Sequence, residues 1–250
     1  MTQFRPGSFQ ILPPLIKNLL IINGLFFLAQ NTIGKSYIDM DALFALHTWQ
    51  SGLFKPWQFI THMFMHGSID HILFNMFALW MFGSALENVW GPKRFLTFYL
   101  CCGLGAALCH MIVLYFENAS MISQYNAISD MPSLQAFIDH YTPKPVPIDP
   151  AVANQLLHYR LDEATLGASG AVFGCLAAFA YLFPNTYVYV YFLLPVKAKW
   201  FVLAYAAFEL YSTIQNSAGD NVAHVAHLGG ALVGVILVYT WNKTNRRHFY

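Results

Sequence analysis

Apolar residues lie along the chain in six runs that are separated by more polar segments. The runs cover approximately residues 15–30, 69–90, 95–116, 166–183, 199–214 and 222–241. Several of them are close to the ~20 residues that a helix needs to cross ~30 Å of hydrocarbon. Because lipid offers no water to the backbone N–H and C=O groups, each run is predicted to be a helix. The pattern therefore predicts an all-α membrane protein, with residues 1–250 forming a single bundle of six transmembrane helices.

Composition supports lipid as the solvent for much of the chain. Hydrophobic residues make up 57% of the sequence and charged residues only 10%, whereas a soluble domain has roughly 25% charged residues. The net charge of +1 argues against nucleic acid as a partner. All four cysteines lie in apolar runs, so we expect buried free thiols. The N-terminal segment MTQFRPGSFQILPP lacks the features of a removable signal peptide, and no cofactor is expected.

The distribution of Lys and Arg predicts the orientation of the chain. With both termini in the cytoplasm, the outer segments hold only Lys35, Lys55, Lys144 and Arg160 of the 13 basic residues. Two outer connections are then long, at residues 31–61 and 117–163, and SLQAFIDHY in the second is expected to form a short surface helix. The segment YVYVYFLLPVKAKW is suited to the headgroup region. We expect a multi-pass protein, most simply of a bacterial inner membrane.

Polar residues inside three of the runs are the candidates for function, because such residues are costly at membrane depth. They occur in HGSIDHILFNMFALW of the second run, LGASGAVFG of the fourth and HVAHLGGALVG of the sixth. Asn75, Ser169 and His227 each lie about 15 residues from the inner end of their helix, or roughly 21–22 Å. The three side chains are therefore predicted to lie at one depth, in the outer part of the membrane.

Small residues predict that the fourth and sixth helices pack closely. Gly170 and Gly174 share one face of the fourth helix, and His227, Gly230 and Gly234 share one face of the sixth. Such spacing lets helix backbones approach in lipid. We expect this contact to place Ser169 beside His227.

These residue types fit acyl transfer. A neutral imidazole can take the proton of a serine hydroxyl and later protonate the leaving amine. His71 and Asn75, four residues apart on one helix face, could donate hydrogen bonds to a developing oxyanion, together with the backbone N–H of Ser169. A water-filled cavity that opens outward would be required for hydrolysis.

The chain resembles the rhomboid intramembrane serine proteases of the basic six-helix type. The resemblance covers nearly the whole chain and rests on ITHMFMHGSIDHILFNMFALWMFG, on GASG, which contains Gly167 and Gly170, and on AHLGG, which contains Gly230. It implies a catalytic dyad of Ser169 and His227, with oxyanion stabilisation by His71 and Asn75. It also implies transmembrane proteins as substrates, cut near their outer ends after lateral approach past the second and fifth helices, with residues 212–221 as a cap.

The chain departs from the family pattern at several places. Trp57-Gln58 stands where Trp-Arg is usual, Phe173 stands where Tyr is common, and the 117–163 loop is longer than the family minimum. Phe173 can still pack on His227. The sequence offers no clear acid to orient His227, and the family generally works without one.

Two alternatives remain open. One is a rhomboid-like protein that binds membrane clients without cutting them, which the presence of both Ser169 and His227 disfavours. The other is a metal transporter whose imidazoles bind Zn²⁺; its candidate ligands are His62, His66, Asp70, His71, His224 and His227. The absence of polar residues in the inner halves of the fourth and sixth runs disfavours transport, so no bound metal is expected.

The remaining polar residues receive structural roles. We expect His62 and His66 to anchor a loop through hydrogen bonds and His224 to line the mouth of the cavity. Glu87 is interpreted as a structural acceptor near the inner end of the second run. Glu209 is interpreted as an interfacial residue solvated by water and headgroups.

Overall fold

The structure is a computed structural model that describes residues 9–142, 145–190, 193–215 and 223–245. The described residues form helices with one small β-hairpin. The helices are α1 (Pro14–Ser36), α2 (Met40–Phe44), α3 (Gln58–Thr61), α4 (Ile69–Ala78), α5 (Ser84–Trp90), α6 (Pro92–Asn126), α7 (Met131–Tyr141), α8 (Pro150–Leu161), α9 (Ser169–Leu182), α10 (Ala198–Gln215) and α11 (His224–Asn245). A 3₁₀ turn, His62–Phe64, follows α3, and a π turn, Leu79–Gly83, joins α4 to α5.

The helical bundle of an integral membrane protein is confirmed. Within the described ranges, four segments are long and apolar enough to cross a membrane: Pro14–Gly34, Ile69–Trp90, Pro92–Asn126 and His224–Lys243. The two other predicted spans correspond to α9, which has only 14 residues, and to α10, which contains Lys199 and Glu209. The bundle is shown, but length and composition alone do not identify six spans.

The short helix α9 lies at the centre of the bundle. Every residue from Gly170 to Ala180 is buried, and α9 packs against α6 and α11. Since neighbouring helices surround it, α9 does not need the length of a lipid-exposed span. The side of α9 toward α11 is formed by glycines: a Cβ on Gly230 would overlap the carbonyl oxygen of Gly170, and one on Gly234 would lie 2.7 Å from that of Gly174. The predicted close approach of these two helices is confirmed.

The second long connection is more ordered than the sequence suggested. α6 has 35 residues and ends at Asn126, ten residues beyond the predicted boundary at 116; its length of about 52 Å exceeds the ~30 Å of hydrocarbon. The predicted surface helix is present as α7, but it is not only a surface element, because α6, α7 and α8 bury apolar side chains between them. This α6–α8 cluster consists of Met121, Leu134, Phe137, Ile138, Ala153, Leu157 and Leu161. The connection is therefore a small helical unit.

Gln58 organises the first long connection. Its side chain is fully buried; the Oε1 atom accepts hydrogen bonds from the backbone N–H groups of His47 and Lys55, and Nε2 donates to the carbonyls of Ala42 and Leu53. The amide thus uses its full bonding capacity. It fixes the loop without the charge of the Arg usual at this position.

The aromatic segment before α10 is a β-hairpin, which the all-α prediction did not include. Strands β1 (Tyr187–Val190) and β2 (Leu194–Lys197) pair antiparallel, with Tyr187 opposite Lys197. Alternating Tyr and Val residues favour a strand over a helix here. The hairpin leads directly into α10.

Candidate active site

Ser169 is the first residue of α9, and the segment before it fixes its position. Thr165 pairs with Leu46 in an antiparallel bridge, and the N–H of Gly167 donates to the carbonyl oxygen of His62 at 2.9 Å. Gly167 has a φ of +127°, a backbone conformation that favours glycine. The turn therefore presents the Ser169 side chain at the N-terminal end of a buried helix.

The side chains of Ser169 and His227 are in direct contact. The Nε2 atom of His227, on α11, lies 2.9 Å from Oγ of Ser169, although 58 residues separate the two in sequence. The Phe173 ring stacks on the imidazole with a centroid distance of 4.2 Å and an interplanar angle of 6°. His227 is only 8% exposed. The imidazole is thus held in the orientation that a general base for Ser169 requires.

Glu209 lies on the other side of His227. Two expectations were wrong here: that Glu209 is solvated at the interface, and that the sequence offers no acid near His227. Its carboxylate is 2% exposed rather than solvated at an interface. The Oε2 atom accepts hydrogen bonds from Nδ1 of His227 at 3.1 Å and from Nδ1 of His224 at 2.6 Å. An acid in contact with His227 therefore exists. One signal could have found it, namely that a lone carboxylate in an apolar helix usually has a partner.

His71 lies across the turn from Ser169. The Ser68 hydroxyl caps α4 by accepting from the N–H of His71. A Cβ built on Gly167 would lie 2.7 Å from Nε2 of His71 and 3.6 Å from Oγ of Ser169. Both polar atoms therefore border the small space beside Gly167.

Asn75 follows one turn later on α4 and is 6% exposed. Its Nδ2 atom has no hydrogen-bond partner among the described residues. A buried amide donor without a partner is unusual in a folded protein. This donor is available to a bound group.

His62 anchors the loop, as predicted. Its Nδ1 atom donates to the carbonyl oxygen of Gln58 at 2.8 Å, and its own carbonyl holds Gly167. Burial lowers the pKa of His62 to about 4, so the ring is neutral at physiological pH.

His66 anchors the loop through its backbone, whose N–H donates to Oε1 of Gln30. The predicted hydrogen bond is therefore made by the backbone, while both ring nitrogens lack a partner among the described residues. The ring packs edge-to-face on His71 instead, with centroids 5.1 Å apart. Burial, and secondarily the nearby His71, lower the pKa of His66 to about 4. A neutral His66 is compatible with close packing against a second imidazole.

Glu87 is a structural acceptor, as predicted. Its two carboxylate oxygens accept from the N–H groups of Leu15 and Ile16 at 3.0 and 2.9 Å. These donors belong to the first turn of α1, where N–H groups have no partner within the helix. Glu87 therefore caps α1.

The histidines weighed as zinc ligands do not form one cluster. Among the described residues, the group whose donor atoms could hold a metal is Glu209, His224 and His227, with those atoms within 4.8 Å of one another. That group does not include Asp70, His62, His66 or His71. In this arrangement both imidazoles donate to Glu209 through Nδ1.

Two features of the expected site remain predictions. Two cavities lie elsewhere: one of about 370 Å³ is beside His158 in α8, and one of about 340 Å³ is beside Phe9 and Phe183. Neither is the predicted water-filled opening at Ser169. The predicted cap at 212–221 falls mostly outside the described residues, which omit 216–222. Ser212 belongs to the last turn of α10.

Sequence comparisons place these residues in a family context. The model of the Rhomboid domain matches residues 53–129 and 146–243; the unmatched 130–145 contains α7. RHOMBOID-like protein 12, mitochondrial, from Arabidopsis thaliana is 25% identical over 234 residues, covering 94% of this chain and 59% of its own length. Rhomboid protease AarA from Providencia stuartii is 27% identical, covering 78% of this chain and 59% of its own.

A further relative is Rhomboid protease GluP from Bacillus subtilis, which is 26% identical over 161 residues. The match covers 63% of this chain and 22% of that protein. This chain therefore spans less than two thirds of the length of each of these three relatives.

Proposed function

Because the chain belongs to the rhomboid family, which includes proteins named as proteases, we propose that it is an intramembrane serine endopeptidase. Its substrates are transmembrane proteins, cut near the outer membrane face. Ser169 is the nucleophile and His227 the general base. The observation that carries the proposal is the 2.9 Å contact between Nε2 of His227 and Oγ of Ser169.

The reaction has two halves. His227 takes the hydroxyl proton as Oγ of Ser169 attacks the peptide carbonyl, and the protonated imidazole then gives that proton to the departing amine, which leaves an acyl-enzyme. In the second half His227 takes a proton from water, and the resulting hydroxide attacks the ester. The proton returns to Oγ as the carboxylate product leaves.

Three donors are proposed to stabilise the negative oxygen that forms in each half. They are the ring of His71, the Nδ2 group of Asn75 and the N–H of Ser169. The last lies at the N-terminal end of α9, where the helix dipole favours negative charge. The donor of Asn75 is otherwise unsatisfied, so a substrate oxyanion would supply its missing partner.

The membrane concerned is not identified by the relatives. Their printed names include mitochondrial and chloroplastic proteins beside bacterial ones, and they do not favour the bacterial inner membrane expected from the sequence. The orientation with both termini inside rests on the Lys and Arg distribution alone.

Proteoliposomes with a single-pass test substrate provide the experiment. Wild-type protein should cut the substrate near its outer end, with and without a chelator, and Ser169→Ala should abolish cleavage. Ser84→Ala is the matched control, because it also removes a buried membrane hydroxyl, one without a partner among the described residues. Cleavage that survives Ser169→Ala but stops with chelator would replace this proposal by the metal alternative. Client binding without cleavage by the wild type would favour the inactive relative.

A further inference from the structure

We propose that Glu209 is a positioning residue for His227, so that the proposed protease works with a Ser169–His227–Glu209 triad rather than a dyad. The inference rests on the proposed function above. It assigns to α10, for which the sequence predicted no site residue, the side chain that positions the general base.

Burial of the Glu209 carboxylate is the first argument. Its neighbours in sequence, Phe208 and Leu210, are 56% and 53% exposed on the outside of α10, whereas Glu209 is 2% exposed and faces α11. A carboxylate in such surroundings is expensive unless it is paired and hydrogen-bonded. The two imidazoles of α11 supply the hydrogen bonds, with their Nδ1 atoms 2.6 and 3.1 Å from Oε2.

The hydrogen-bond direction is the second argument. A carboxylate oxygen can only accept, so the 3.1 Å contact requires the proton of neutral His227 to reside on Nδ1. Nε2 then carries the lone pair and points at Oγ of Ser169. This is the tautomer that can remove the hydroxyl proton.

The charge of Glu209 is the third argument. When His227 takes the proton of Ser169 it becomes an imidazolium, with its Nδ1–H still directed at a carboxylate. Preorganised charge of opposite sign on a buried carboxylate stabilises such a transition state and needs no reorganisation. Phe173 can orient the ring by stacking, but it cannot supply this charge.

His224 keeps the carboxylate in place. It donates from the previous turn of α11 to the same Oε2 atom at 2.6 Å, and its side chain is 11% exposed. The two histidines therefore fix one carboxylate oxygen between them. His224 also meets the His227 ring edge-to-face, with centroids 6.3 Å apart.

Kinetics of isosteric variants test the inference. Glu209→Gln should lower kcat about 10²–10⁴-fold, as loss of the third member does in the Ser–His–Asp template, with KM changed less than about two-fold. Glu209→Asp should recover at least ten-fold of that loss because it restores the charge. Glu87→Gln is the matched control, since it also neutralises a buried carboxylate that accepts two N–H groups; it should leave kcat unchanged. A wild-type kcat in Glu209→Gln would overturn the inference while leaving the proposed function intact.

Imidazole ¹⁵N NMR of the wild-type protein provides a readout that requires no cleavage. The inference predicts the Nδ1-protonated tautomer for His227, assigned by loss of its signals in His227→Asn, and a shift toward the other tautomer in Glu209→Gln. An Nε2-protonated His227 in the wild type would overturn the inference even if Glu209→Gln fails to fold. If no substrate is cut, the proposed function fails, and the tautomer still decides the role of Glu209.

Discussion

At the scale of single residues, Gly167 determines how closely His71 and Ser169 can approach. Its φ of +127° disfavours any other residue, and a Cβ would lie 2.7 Å from Nε2 of His71. Gly167 is thus required by the backbone conformation and also borders two candidate catalytic side chains. Substitutions here should therefore affect the site as well as the turn.

Gly167→Ala should reduce the cleavage rate at least ten-fold, because the added methyl displaces His71. Gly91→Ala separates this effect from backbone strain, since Gly91 also has a positive φ, +77°, but a Cβ there would meet nothing within 4 Å. Both variants should lose roughly 1–3 kcal/mol of stability through backbone strain, and only the first should lose its rate. Initial rates and melting temperatures measure the two effects. Equal rate losses in the two variants would contradict the assignment.

His71→Ala and Asn75→Ala should each slow cleavage about 10–10³-fold, with little change in KM, if each removes one oxyanion donor. Steady-state kinetics of the two single variants and of the double variant provide the measurement. A double variant that cleaves at the full rate would remove both residues from the mechanism.

The sequence predicted part of the site, and the limit has a physical cause. Ser169, His227, Phe173 and the glycines lie in motifs whose helical spacing puts them on shared faces. Glu209 could not be placed this way, because the glycines that predict the contact of α9 with α11 have no counterpart in α10. Pairing between helices is a tertiary property.

At the scale of elements, α9 and α11 are held together backbone to backbone. A Cβ at Gly230 would overlap the Gly170 carbonyl oxygen, so the helices would have to separate. Because Ser169 and His227 lie on these same two helices, a small separation would lengthen their hydrogen bond. Stability and activity are therefore linked at this contact.

Gly230→Ala should lower stability by about 1–3 kcal/mol, as overpacking does in tight cores, and should reduce the cleavage rate. Gly24→Ala in α1 is the matched control, because a Cβ there has nothing within 4 Å; the better helix propensity of Ala should leave stability equal or higher. Thermal unfolding in one detergent compares the two variants. A Gly230→Ala protein as stable and active as the Gly24→Ala protein would show that the contact tolerates separation.

The whole molecule combines a membrane bundle with the small α6–α8 cluster, and the sequence predicted these unequally. Long apolar runs fix the bundle because lipid leaves the backbone no alternative to a helix. The cluster of α7 and α8 was expected as a polar loop with one short surface helix, since its apolar residues alternate with polar ones and are buried only once the helices meet. The hairpin β1–β2 was missed because its aromatic residues were interpreted as suited to the headgroup region.

The stability of the whole molecule should fall as the pH is lowered from about 6.5 to 4. Both His62 and His66 have a pKa of about 4 in the folded protein, against 6.5 for an ordinary histidine. The unfolded chain therefore binds more protons in this window, and each residue costs up to about 3 kcal/mol by its lower end. Melting temperatures in one detergent across this range should fall, and His62→Gln should flatten the slope. An unchanged slope in that variant would show that His62 does not titrate as proposed.

The most direct test of the central claim is the site of a covalent serine label. Purified protein is treated with a fluorophosphonate, which phosphonylates an activated serine hydroxyl far faster than an ordinary one, and the adduct is located by peptide mass spectrometry. The account predicts one adduct, on Ser169, that is absent in the His227→Asn variant. Adduct formation at another residue, or labelling of Ser169 at the full rate without His227, would contradict it.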